Sequence, residues 1–327
     1  MPYLGKFSWE NSVANPLTQD KTVVIGTDDT TPGQVYVYVG QKQATGTEVA
    51  KAGLSNGNLY GIAVNGVPVE SRETGVGAPT RFSLANLGDV SAKTGAQLQT
   101  DSDTAGVTEF LRPEDGHWDP SNPNNFYFVT TDRYDQVKDG VGSQVGRSRL
   151  YRLAFDSVTD PTTGGRIDLL LDGTEAGNMF DNMTIDEHGH ILLQEDVGNQ
   201  PHNGKIWSYD IATDSLSLVT KHDPSRFGDL INGVASPASP PFNQDEESSG
   251  IIDVSHILGE GWFLADVQAH YNIGDTELVE GGQLFAIYVA PVPEPSSIVL
   301  LASGGAVALG VFARRRRAAR AAGPAEV

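Results

Sequence analysis

Apolar residues in this chain come in short runs rich in Val, Ile, Tyr and Phe, interrupted by Gly, Pro, Asn and Asp, and long helical periodicities are scarce. Such runs predict many short strands joined by turns. The stretch from Met183 to Thr220 shows the plan. Met183–Asp186, Ile191–Glu195, Lys205–Tyr209 and Leu216–Thr220 are four strand candidates. The turn signals between them are Glu187-His188-Gly189, the Gly198–Gly204 stretch and Ala212-Thr213-Asp214-Ser215. Four antiparallel strands make one propeller blade. The expected fold is therefore all-β: a β-propeller of four-stranded antiparallel blades, about five or six of them with at least one incomplete. His188 and His190 fall in the first hairpin and read as turn residues.

The pattern repeats. Four times a β-rich strand ends in an acid and is followed, after a loop, by a second aromatic-rich strand. The pairs are Thr22–Asp29 with Gln34–Tyr38, Phe126–Asp132 with Arg149–Leu153, His190–Asp196 with Lys205–Tyr209, and Trp262–Asp266 with Gln283–Ile287. Each unit is preceded by a further acid at the start of an earlier strand: Glu10, Glu114, Asp181, and Glu246 or Glu247. An antiparallel blade begins its first strand on the side where its second strand ends, so both acid sets share one face. Stacking blades around an axis then brings Glu10, Glu114, Asp181 and Glu246 or Glu247 together, with Asp28, Asp29, Asp132, Glu195, Asp196 and Asp266 nearby.

Composition sharpens this picture. The chain has 327 residues with 42 Asp+Glu against 22 Lys+Arg, a net charge of −20 that argues against nucleic-acid binding. A hydrophobic fraction of 39% with 20% charged residues suits a folded core. There is no Cys, which excludes disulfides, thiol catalysis and Cys-ligated metals. Carboxylates crowded at one place cannot all ionise without cations between them. Oxygen donors imply hard metals, Ca²⁺ first. Single acids at strand ends are often only turn formers, so the inference rests on the repetition. Asp101–Gly106 begins like a helix-flanked calcium loop but reaches Arg112 where that loop needs Glu, and fails. Asn182-Met183-Thr184 matches a glycosylation acceptor only formally.

The ends carry different information. After Val292-Pro293-Glu294-Pro295 comes an apolar run to Ala313 and then Arg314–Arg317. A helix over 297–313 is roughly 25 Å long at about 1.5 Å per residue, near the lower limit for crossing a membrane. The Arg block stays on the cytoplasmic side, which puts the body outside. This three-part tail resembles a PEP-CTERM sorting signal. The resemblance implies recognition by sorting machinery, initial anchoring in the inner membrane through the helix, and delivery to the cell envelope or an extracellular matrix. The domains expected are a body over 1–290 and a tail over 291–327. Met1–Lys6 shows no basic start and apolar core of a secretory signal, so an N-terminal stretch is expected to be missing.

The body resembles the β-propeller phosphatases of PhoX type. The residues that carry this are Gly5–Asn11, Arg112-Pro113-Glu114-Asp115-Gly116 with Trp118-Asp119-Pro120, Phe126–Thr131, Phe180-Asp181-Asn182 and Asp266–His270. The resemblance implies a secreted alkaline phosphatase that hydrolyses phosphate esters of small molecules with calcium and iron. In it Glu10, Glu114, Asp181 and Asp266 are metal ligands. Arg112 grips phosphate beside Glu114, and a metal-bound hydroxide or oxide attacks phosphorus. Asp115, Glu195, Asp196, Glu247 and His270 stand as further ligands or supports. The Cys that holds iron in that family has no counterpart, which leaves Fe³⁺ open. The competing expectation is a calcium-binding cell-surface or matrix propeller without catalysis.

Overall fold

Alternation along each strand decides which core its side chains join, and in this molecule several central strands are buried on two faces. The structure, a computed structural model, describes residues 1–290. The expected membrane span at 297–313 and the basic cluster at 314–317 lie outside the described residues. Among the described residues no helix is long and apolar enough to cross a membrane.

Blade 1 is β1 (Trp9–Ala14), β2 (Lys21–Asp28), β3 (Val35–Gln41) and β4 (Asn58–Val64), followed by β5 (Thr80–Gly88). Blade 2 is β6 (Pro113–Trp118), β7 (Asn125–Thr130), β8 (Arg149–Phe155) and β9 (Gly165–Leu171). Blade 3 is β10 (Phe180–Ile185), β11 (His190–Glu195), β12 (Lys205–Asp210) and β13 (Ser215–Lys221), the four strands anticipated for this unit. A hairpin, β14 (Asp229–Ile231) and β15 (Val234–Ser236), leads to blade 4, which has β16 (Glu247–Asp253), β17 (Trp262–Asn272) and β18 (Glu280–Tyr288). The all-β propeller-like class is as expected. Among the described residues there are four blades, the last three-stranded, where five or six were expected.

Blades 1 and 2 are not separate sheets, as stacked blades were expected to be. Thr80–Phe82 of β5 pair with Gly165–Ile167 of β9 while Phe82–Gly88 pair with β4, which fuses blades 1 and 2 into one nine-stranded sheet. Backbone here approaches too closely for side chains. A Cβ on Gly165 would meet the Ala154 carbonyl at 2.2 Å, and one on Gly164 the Phe82 carbonyl at 2.4 Å.

β7 shows how the blades stack. Phe126 and Phe128 pack with Val23, Ile25, Val37, Trp118 and Phe155 between blades 1 and 2, while Tyr127 and Val129 pack with Phe180, Ile191, Leu193 and Trp207 between blades 2 and 3. A strand buried on both faces needs a continuous apolar run, which is what Phe126–Val129 provides. Each of these buried side chains contributes about 1.5–3 kcal/mol. The other face of blade 1 (Val24, Tyr36, Tyr38) is covered by Leu4 and by Leu98 of the helix Gly95–Ala105. That helix is capped by a Thr94–Gln97 box and ends at Gly106 in the left-handed region (φ 71°), so the rejected calcium loop is a helix end.

Candidate metal centre

The innermost strands β1, β6, β10 and β16 stand side by side in that order. Trp9 pairs with Asp28, Pro113 with Thr130, Phe180 with Glu195 and Ser249 with Asp266. Strand starts and second-strand ends do share one face. Just after each of these pairs the register shifts by one residue. In blades 1 to 3 the bulged residues are Glu10-Asn11, Glu114-Asp115 and Asp181-Asn182; in blade 4 Gly250 takes the place. A bulge leaves residues out of the ladder and re-aims their side chains.

The bulges gather the acids into two triads, Glu10–Asp29–Glu114 and Asp181–Asp196–Glu247, with one ligand atom from each member lying within 4.8 Å of the others. Two oxygens sharing a calcium at about 2.4 Å are at most about 4.8 Å apart, so each triad fits one ion. The triads are built alike. Each takes a bulge acid, the acid just after β2 or β11 of the same blade, and an acid from the next blade. Asp29 N donates to Ser8 O (2.8 Å) and Asp196 N to Met179 O (2.9 Å), the same bond in two blades.

Charge couples the triads into one site. Burial pushes Glu114 up to about 10, helped by Asp181. It pushes Asp181 up to about 8, helped by Asp196 and Glu10, and Glu247 up to about 9, helped by Asp196. Burial, then Asp29 and Asp115, also raise Glu10. Both carboxylate oxygens of Glu114 are buried without a hydrogen bond. Arg112 Nε lies 2.9 Å from Glu114 Oε1, an ionic contact not aligned as a hydrogen bond, and donates to Asp29 Oδ1 at 2.8 Å. Two acid triads with one guanidinium set against the first, and an orphaned buried carboxylate among them, fit hard cations. Arg112 has a left-handed backbone (φ 64°), as does Met179 (φ 50°) at the corresponding place in blade 3, so this belongs to strand entry.

Several expected residues are placed elsewhere. Asp266 is in neither triad; it faces Gly250 and lines a cavity of about 410 Å³ with Asn11, Asp115, His117 and Met183. It pairs across the ladder as Asp28 and Glu195 do, and alternation hands the triad to the next residue, Asp29 or Asp196. In blade 4 that residue is Val267. Glu195 is consumed internally: it accepts from Trp207 Nε1 (2.7 Å) and Asn178 N (2.8 Å), meets His202 Nε2 at 2.8 Å and has Lys205 Nζ at 3.5 Å. Burial opposes its charge, but His202 and Lys205 outweigh it and hold Glu195 below the usual range. Asp132 pairs with Arg72, and Asp28 accepts from Ser8 N (3.1 Å). Glu246 closes a turn on Asn243 N and Gln244 N, which leaves Glu247 for the triad. His270 sits 3.9 Å from Glu247 and 3.2 Å from Glu280.

Asp115 has three donors: Asn11 Nδ2 and Gly116 N (2.7 Å) on Oδ1, and Met183 N (2.9 Å) on Oδ2. Asn182 Oδ1 likewise accepts from Ser249 Oγ (3.0 Å) and Gly250 N (3.1 Å). Asn11 and Asn182 were missed in the sequence; the doublets Glu-Asn, Glu-Asp and Asp-Asn at three strand starts were the available signal. At the far ends of the strands His190 contacts Asp186 (2.7 Å), as a turn residue should, and His188 contacts Glu260 (3.1 Å).

A family model described as alkaline phosphatase PhoX matches residues 1–227, and one for the PEP-CTERM protein-sorting motif matches residues 291–317. Both resemblances drawn from the sequence are thereby borne out. Among curated proteins none matches. Among solved structures the chain is similar to Pseudomonas fluorescens PhoX in complex with vanadate, a transition state analogue, with a TM-score of 0.58 and 15% identity over 88% of this chain. This likeness shows the fold. The chain spans 54% of that chain's length, about half.

Proposed function

Because this chain belongs to the PhoX alkaline phosphatase family, we propose that its two acid triads hold divalent cations and that, so loaded, it hydrolyses phosphate monoesters outside the cytoplasm. The observation that carries this reading is the pair of triads with Arg112 set against one of them. Without cations the acids of the triads leave Arg112 no net positive charge to offer a phosphate dianion. Glu10, Asp29 and Glu114 would hold one cation and Asp181, Asp196 and Glu247 another, with calcium favoured by the all-oxygen donors. When bound, the cations supply positive charge to phosphoryl oxygens and lower the pKa of water.

The chain's own residues do the rest. Arg112 spends Nε on Asp29 and Glu114; among the described residues neither of its terminal nitrogens makes a hydrogen bond, so the planar end of the fork is left for two phosphate oxygens. Burial works against the guanidinium charge, but Glu114 and Asp29 hold it protonated. Held in this way, Arg112 offers donors to charge that grows on phosphoryl oxygens in the transition state. The sorting tail, residues 291–327, is taken as a module apart from the body, exported with it to the cell envelope and anchored for a time by the apolar run at 297–313.

Hydrolysis of a chromogenic phosphomonoester by the calcium-loaded full chain tests the reading. Turnover is expected to vanish with chelator and to fall by about 10²–10³-fold in Arg112→Ala. A chain that binds calcium and shows no turnover above buffer leaves the non-catalytic surface protein as the reading.

A further inference from the structure

The residue after a triad acid looks like a spare ligand, but at position 115 its oxygens are already engaged. Asp115 accepts from Asn11 Nδ2, next to Glu10; from Gly116 N, two residues after Glu114; and from Met183 N, two residues after Asp181. One carboxylate thus gathers three bulges from three blades, and each of its donors lies one or two residues from a triad acid. Asn11 Nδ2 also reaches Gly116 O at 3.3 Å, which ties the first two bulges twice. Asn182 carries the pattern to blade 4 through Ser249 and Gly250.

No ladder hydrogen bond fixes a bulge, because its residues are the ones left out of pairing. The positions of Glu10, Glu114 and Asp181 therefore depend on what else holds those bulges. We propose that Asp115 is a positioning residue: it coordinates no ion itself, and by clamping the bulges of blades 1, 2 and 3 it sets the spacing of Glu10, Glu114 and Asp181 across both triads. This deepens the proposed metal-dependent function and rests on it for the calcium measurements alone. The clamp is directional: Oδ1 of Asp115 holds the bulges of blades 1 and 2, and Oδ2 holds blade 3.

The test uses the full chain with Asp115→Ala, Asp115→Asn and Asn11→Asp. Asp115→Ala removes all three bonds, Asp115→Asn keeps an oxygen for Asn11 and Gly116 but sets its amide nitrogen against Met183 N, and Asn11→Asp sets carboxylate against carboxylate. In metal-free protein, peptide hydrogen exchange is expected to accelerate together over 9–14, 113–118 and 180–185 in Asp115→Ala, chiefly over 180–185 in Asp115→Asn and chiefly over 9–14 in Asn11→Asp, with β18 unmoved in all three. Calcium affinity by calorimetry is expected to fall about 10- to 100-fold in each variant, as for removal of a group that orients metal ligands. Exchange that accelerates only over 113–118 in Asp115→Ala would overturn the clamp. So would loss of calcium binding with metal-free exchange unchanged, which would make Asp115 a ligand, or unchanged affinity in Asp115→Ala. The exchange measurement needs neither turnover nor metal, so failure of the phosphatase reading and failure of the clamp are read separately.

Discussion

Glu114 and Glu195 are both buried glutamates on the same face of the blades, 1% and 0% exposed, and they have opposite electrostatic fates. Glu195 is ringed by His202, Trp207, Lys205 and the Asn178 amide, and its carboxyl is held below the usual range despite burial. Glu114 has one guanidinium, no hydrogen bond on either oxygen, and acids for neighbours; its carboxyl is pushed up to about 10. The difference lies in the partners. Where the fold supplies its own cations, a buried acid is structural; where it gathers acids around one Arg, the missing positive charge comes from outside.

The largest expected effect breaks the internally satisfied side. His202→Ala strands Glu195 in the interior and is expected to cost about 3–5 kcal/mol in urea unfolding, with or without calcium. The matching change Glu114→Gln replaces a carboxyl that the metal-free protein holds protonated and without a hydrogen bond, and should cost the metal-free protein nothing. Equal losses in the two variants would erase the distinction. Next in size, calcium at about 100 times its dissociation constant should raise the unfolding free energy by about 2.7 kcal/mol, an increment lost in Asp181→Asn.

Strand existence was legible in the sequence because apolar runs between turn residues dictate it, and blade 3 is the clearest instance, with four strands where four were expected. The shared face was legible as well, since it follows from antiparallel order alone. The bulges were not: one extra residue in a strand leaves no mark on a short alternating pattern. With the bulges hidden, Asp266 looked equivalent to the triad acids. Alternation separates them, because the acid paired across the ladder turns away and its successor faces the site, and the doubled acids Asp28-Asp29 and Glu195-Asp196 carry a successor where Asp266-Val267 does not. The fusion of blades 1 and 2 through β5 depends on backbone contacts at Gly164 and Gly165 distant in sequence from β5.

A smaller, signed effect comes from pH. Glu114, Asp181 and Glu247 have folded carboxyls raised to about 10, 8 and 9 above ordinary values near 4, so the metal-free folded state holds protons that the unfolded chain has lost. Their contribution is fully present below the ordinary carboxylate range and is lost as pH rises through about 8 to 10. Stability of metal-free protein should therefore fall between neutral pH and pH 10, while calcium affinity rises over the same window because ions displace those protons. Asp223 and Asp156, lowered at the surface by Ser225 and Arg81, should leave that window untouched. The smallest effect is assigned to Asp266→Asn, outside both triads, which should change calcium affinity by less than about threefold, the scale of a substitution away from any critical contact.

The anomalous-scattering map of the full chain crystallised in calcium tests the central claim most directly. Two ions are expected, one among Glu10, Asp29 and Glu114 and one among Asp181, Asp196 and Glu247, with none on Glu195. Saturating calcium that leaves both triads without density, or ions bound to Glu195 or Asp266 in their place, would contradict it.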